Sequence, residues 1–194
     1  MWTEDELVDR FTAAFDVWMP DGIRQISADG RQGKSVPYWR YVKQLAIKLM
    51  GRDVVPGTDY ALTEVVHCKS RNEVGVAEAA KECVPRYLKR VLALSPAAVI
   101  VVLGTHARNG FRSEFNYPDA GIVSPPLEVE GRLRRIVFLA NPGARGATKY
   151  PRHPTESDLA VVRQWLLEAE RTRTYTWESD DVTITRLPPR TDHP

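Results

Sequence analysis

The chain has 194 residues, 43% hydrophobic and 27% charged, with a formal net charge of +2. This is the composition of a soluble globular protein of one domain, and no apolar run approaches the roughly 20 residues that span a bilayer. No secretory signal is expected, and the charge is far from a histone-like total, so affinity for nucleic acid must come from local clustering.

Thr3 with Glu6 reads as a capping box, and Leu7, Phe11, Ala14, Phe15 and Trp18 would give the helix it opens an apolar face that ends at Met19-Pro20-Asp21-Gly22. Asp29 to Ser35 reads as an irregular loop. Its Gly-Lys-Ser lacks the first glycine of a phosphate-binding loop and follows no apolar strand. Pro37 suits a first helical turn, and Tyr38, Tyr41, Val42, Leu45 and Leu49 carry a helix to Gly51. No buried strand is predicted before Tyr60. Tyr60 to Val66 reads as a strand ending at His67-Cys68-Lys69-Ser70. From Val76 the apolar positions Ala80, Cys83, Tyr87, Val91 and Leu94 share a helical face, which Pro85 bends and Ser95-Pro96 stops. Ala98 to Leu103 is a continuous apolar run, the pattern of a parallel strand buried on both faces. Strand, helix and strand make a right-handed crossover unit.

A short helix is predicted from Gly104 to Gly110. Phe111 to Glu130, with prolines at 118, 125 and 126, reads as loop. Arg132, Arg134 and Arg135 lead into a third strand, Ile136 to Ala140, and the ordinary reading of such a cluster is a solvated face. Ala144 to His153 reads as an exposed basic loop holding Arg145, Lys149, Arg152 and His153. Thr155 with Asp158 caps a last helix whose buried stripe is Leu159, Val162, Trp165, Leu166 and Ala169. Thr174 to Thr185 alternates as a terminal hairpin turning at Glu178 to Asp181, and the tail, residues 187–194, is expected to fray.

In open α/β sheets, ligands gather outside the carboxyl ends of the strands. Three predicted strand ends carry polar turns: His67-Cys68-Lys69, Gly104-Thr105-His106 and Asn141-Pro142-Gly143. Their convergence predicts one crevice lined by His67, Thr105 and Asn141.

The order of TEVVHCKS, a helix holding Cys83, Pro96, VIVVLG and Asn141-Pro142-Gly143 resembles the uracil-DNA glycosylase superfamily over roughly Tyr60 to Arg171. The core is most similar to the iron-sulfur branch, and the Asn-Pro-Gly resembles the second motif of the mismatch-specific branch. The superfamily's N-terminal first motif, which carries the water-activating residue, has no counterpart, so the single domain over 1–194 is expected to be incomplete at its N-terminal side. The resemblance implies an α/β/α three-layer sandwich with a central, mostly parallel sheet and, here, a helical N-terminus. It implies DNA binding, flipping of a base and hydrolysis of its N-glycosidic bond. On that reading Asn141 and Glu64 are the catalytic candidates, Asn141 donating to the base and Glu64 standing where the family has a uracil-reading Asn. His67, Lys69, Gly104, Thr105, His106, Pro142, Gly143, Arg145, Lys149 and Arg152 are the candidates for base or phosphate contacts, with Arg145 at the place of a wedge side chain.

Each residue has a bland reading beside the functional one. Glu64 is either an outward residue of an edge strand or a buried functional carboxylate. His67 and His106 are site residues or polar turns, and Asn141-Pro142 is a site or a strand-ending turn. Cys68 and Cys83 are plain thiols, or remnants of a cluster site. Two thiolates do not hold a four-iron cluster, so no cofactor and no metal are expected, and the two cysteines fit a reducing cytoplasm. The expected partner is DNA, single- or double-stranded, with no membrane. The alternative is a non-catalytic nucleic-acid or nucleotide-binding member of the same fold.

Overall fold

The computed structural model describes residues 19–27, 29–65, 74–117, 121–144 and 150–177. The predicted first helix, the His67-Cys68-Lys69 turn, the heart of the basic loop and the tail lie outside them. Helix α1, Pro37–Met50, opens on the predicted proline and closes on Gly51, whose φ of 70° allows its N–H to reach Ile47 O at 2.8 Å. Arg163 then supplies a second cap to α1, its Nη2 donating to Lys48 O at 2.6 Å. The third predicted helix is continuous and made of α2, Val76–Cys83, a π-helical turn over Val84–Leu88, and α3, Lys89–Leu94. Pro85 lies inside the π turn, as expected where a missing N–H interrupts the regular ladder.

The sheet is small and mixed. Strand β1, Val99–Leu103, pairs in parallel with β3, Arg132–Leu139, which pairs antiparallel with β2, Leu127–Val129. The order is β1-β3-β2, with Leu103 opposite Leu139 at the carboxyl end of the parallel pair. Glu130 (φ 50°) and Gly131 (φ 71°) join β2 to β3 as a two-residue hairpin, the positive φ at both positions being that of a type I′ turn. Alternate residues of the parallel pair enter two apolar clusters. Ile100, Val102, Ile136 and Phe138 pack with Val84, Leu88 and Phe111, whereas Val101, Leu103, Val137 and Leu139 pack with Leu45, Leu49, Leu159 and Val162. Helix α4, Thr105–Phe115, follows β1, and α5, Glu156–Trp177, closes the described chain. Thr155 and Asp158 form the predicted cap of α5: Asp158 N donates to Thr155 Oγ1 at 3.2 Å, and Thr155 N to Asp158 Oδ2 at 2.9 Å.

Several sequence expectations are corrected. Residues 61–65 form no strand, and Tyr60 makes a single parallel bridge to Pro56, so the crossover unit expected there is not built. Tyr60 instead packs over Gly22, where a methyl group would lie 2.4 Å from its hydroxyl; this interaction with the N-terminal turn outweighs strand propensity. The Phe111–Glu130 loop is shorter than expected, because α4 runs to Phe115 and β2 begins at Leu127. In β1, Val102 is buried and its neighbours are half-buried, since among the described residues this strand has one hydrogen-bonded neighbour. The expected hairpin does not start at Thr174, as residues 174–177 continue α5.

The largest correction concerns the arginine cluster. Arg132 is exposed, but Arg134 is completely buried. It donates to Leu92 O at 2.8 Å, Ser95 O at 3.0 Å and Ala97 O at 3.2 Å, satisfying carbonyls at the end of α3 and at the entry to β1. Burial comes first among the causes that lower its pKa, followed by the charge of Arg132. Arg135 is half-buried, donates to Ser124 O at 2.7 Å and lies 5.3 Å from the centre of the Trp165 ring.

Candidate functional site

The parallel register sets the ends of β1 and β3 side by side, so the residues that follow them meet. Gly104 leaves β1 at φ 88° and ψ 171°, a region essentially reserved for glycine, and its N–H donates to Leu139 O at 2.9 Å. A methyl group on Gly104 would stand 3.1 Å from Asn141 Cβ and 3.6 Å from Asn141 Nδ2. The glycine is thus required twice, by its backbone angle and by the side chain lying against it.

Asn141 is exposed and begins a tight turn. Its Oδ1 accepts the Gly143 N–H at 2.8 Å, and its carbonyl accepts the Ala144 N–H at 2.9 Å. With Oδ1 engaged, the Nδ2 group is the part of this carboxamide suited to donate to a ligand. Pro142 is half-buried and Gly143 exposed in the same turn. Thr105 and His106 are exposed in the first turn of α4, which has no side-chain cap. Gly104, Thr105, His106 and Asn141-Pro142-Gly143 therefore lie at the carboxyl end of the parallel pair, whereas His67, the remaining residue of the expected crevice, lies outside the described residues.

Arg152 joins this group by backbone-directed bonds. Its Nη2 donates to Ala144 O, and its own carbonyl accepts the Tyr41 hydroxyl. Tyr41 also faces the His153 ring at 5.4 Å between centroids, tying the start of α1 to the chain after the Asn141 turn. Burial raises the Tyr41 phenol above its ordinary value, the charge of Tyr38 adds to that, and the Arg152 charge partly opposes it.

Glu64 is exposed in the chain before residue 66, which corrects its placement within a strand. Burial, then the Glu64 charge, raises the phenol of Tyr38, one turn before Tyr41 on α1. Cys83 is a buried free thiol on α2, and Cys68 lies outside the described residues, as do His67, Lys69, Arg145 and Lys149. Among the described residues there is no group of three or more His, Cys, Asp or Glu able to hold a metal ion, and no helix is long and apolar enough to cross a membrane.

Sequence reasoning missed Tyr38, Tyr41 and Arg108. The two tyrosines read as the apolar face of α1, and Arg108 was not singled out within the short predicted helix. The signal that points to Arg108 is its place one turn after the strand-end glycine. Comparison with protein-family models, with curated proteins and with solved structures finds no match to this chain. The chemistry on offer at the sheet edge is a carboxamide donor, the amide ends of α4 and a guanidinium, all suited to an electron-rich or anionic partner.

Proposed function

We propose that this chain is a uracil-DNA glycosylase-like protein that binds DNA and recognises a flipped or damaged base, with hydrolysis of the N-glycosidic bond a weakened activity. The observation that carries the reading is the contact of Gly104 with Asn141 at the ends of β1 and β3. Those two positions belong to the LeuGly and Asn-Pro-Gly segments on which the resemblance rests, and base excision needs such segments to converge. On this reading Asn141 Nδ2 donates to the base, stabilising the anion that departs. The three-layer α/β/α arrangement is proposed with it, supported by the two apolar clusters that alternate residues of β1 and β3 enter.

Hydrolysis is the weaker part of this reading because none of the segments that carry the resemblance supplies a water-activating residue. A positioned general base is worth about 10² to 10⁴ in rate. The exposure of Glu64 favours a second reading, a nucleic-acid or nucleotide-binding member without turnover, since a water-screened carboxylate is a poor group for activating a nucleophile.

The test is single-turnover release of uracil and hypoxanthine from single- and double-stranded oligonucleotides, with salt-dependent binding measured in parallel. Slow release that Asn141→Ala abolishes supports the enzyme. Salt-dependent binding without release selects the second reading, and a chain that binds neither strand form ends both.

A further inference from the structure

We propose that Arg108, whose guanidinium lies over the Tyr150 ring, takes a phosphate group beside the Asn141 turn; this rests on the DNA-binding reading above and names the group that holds the backbone of the bound strand. Arg108 lies on α4, and its N–H donates to Gly104 O at 3.1 Å. Its guanidinium carbon is 5.0 Å from the centre of the Tyr150 ring, and that ring packs 6.0 Å from the ring of Phe138 on β3. The residue after Tyr150, Pro151, accepts the Ala140 N–H at 3.0 Å, immediately before Asn141. Arg108 therefore stands over the point where the chain that leaves at Asn141 returns to the sheet.

Its side chain differs from every other buried, unpaired polar group among the described residues. Five such atoms occur: Tyr60 Oη, Tyr117 Oη and the Nε atoms of Arg108, Arg134 and Arg135. The tyrosines are neutral. Arg134 and Arg135 deliver their charge to backbone carbonyls through Nη atoms. Arg108 has the desolvated Nε, but among the described residues its side chain makes no hydrogen bond and no ion pair. With its guanidinium carbon over the Tyr150 ring and its Nε buried, Arg108 has its two terminal Nη groups left to offer, and such a pair matches two oxygens of one phosphate. A charge of the same sign lies beside the turn, where Arg152 donates to Ala144 O.

The competing explanation is that Arg108 merely covers the aromatic cluster. Arg108→Met keeps the length and apolar stem while removing the charge, and Arg90→Gln removes an equal charge from an exposed position on α3. Binding of a short fluorescent oligonucleotide is followed from about 50 to 200 mM salt. Arg108→Met is expected to weaken binding about tenfold and to lower the slope of log K against log salt by about 0.7 to 0.9, with the midpoint of thermal unfolding kept or raised. Arg90→Gln is expected to leave the slope unchanged. Equal slopes in Arg108→Met and the parent chain, or an equal loss in Arg90→Gln, would overturn the assignment while leaving DNA binding intact.

A second arm uses inorganic phosphate alone. A rise in unfolding midpoint with phosphate that disappears in Arg108→Met supports the site even if no oligonucleotide binds, in which case the DNA reading fails and the anion site survives. If neither oligonucleotide nor phosphate distinguishes the parent from Arg108→Met, Arg108 is a cover for Tyr150 and the proposal falls. Should Arg108→Met unfold, Arg108→Lys keeps a charge over the ring, and the proposal then requires it to retain the salt slope while losing affinity for phosphate.

Discussion

Gly104→Ala tests whether the ends of β1 and β3 meet as closely as described. Two costs combine in this variant. An alanine at φ 88° and ψ 171° is strained by about 1–3 kcal/mol. Its methyl group would also stand 3.1 Å from Asn141 Cβ, tight enough to push the turn by a few tenths of an ångström. Together these should cost about 2–4 kcal/mol. For a chain of this size that lowers the thermal midpoint by roughly 5–12 °C. Gly131→Ala is the control: its φ is 71°, and nothing stands within 4 Å of the added carbon, so it should cost only about 1 kcal/mol. Asn141→Gly removes the opposing Cβ, and Gly104→Ala should be milder by about 1 kcal/mol in that background. Urea and thermal unfolding followed by circular dichroism read all four variants. If Gly104→Ala costs no more than Gly131→Ala and shows no coupling to position 141, the two segments do not touch and the site dissolves.

Arg134→Met removes three bonds to carbonyls of Leu92, Ser95 and Ala97 and should destabilise the chain by about 3 kcal/mol in urea titrations. Glu130→Asn places a residue that tolerates positive φ before Gly131 and should stabilise by about 0.5–1 kcal/mol; a loss would mean that the hairpin turn is of another type. Asp59 is held below the ordinary carboxylate range by the Arg52 side chain, which donates at 2.8 Å, and by the Val55 N–H. A depressed folded-state pKa stabilises above the unfolded value and is lost as pH falls through the folded one. Asp59→Asn should therefore unfold at lower temperature than the parent near pH 7, and the difference should close below roughly pH 4.

The parts of the fold legible in the sequence are those with their own punctuation. Pro37 and Gly51 bracket α1, Thr155 and Asp158 announce α5, and the unbroken apolar run from Ala98 to Leu103 announces β1, Val99–Leu103. What escaped depends on partners far along the chain. Arg134 reads as a surface charge because the carbonyls that satisfy it lie 37 to 42 residues upstream. The β2–β3 hairpin was hidden because Glu-Gly stands where Asn-Gly or Asp-Gly gives the usual signal. Tyr60 looked like the start of a strand because Gly22, its packing partner, is distant in sequence. For the site, adjacency of the Gly104 and Asn141 turns followed from strand polarity alone. The exposure of Glu64 did not, because it depends on a strand that is not built.

Arg134 also bears on the order in which the chain assembles. The end of α3 and the entry to β1 receive their donors from β3, which is synthesised some 40 residues later. Until β3 docks, the carbonyls of Leu92, Ser95 and Ala97 must stay in water, so an isolated hairpin of α3 and β1 has little reason to persist. Strand pairing and helix capping then happen in one event, with a nucleus that spans the middle of the chain. Substitutions at Arg134 should accordingly slow folding more than they speed unfolding, and amides from 92 to 97 should exchange together with those of β3.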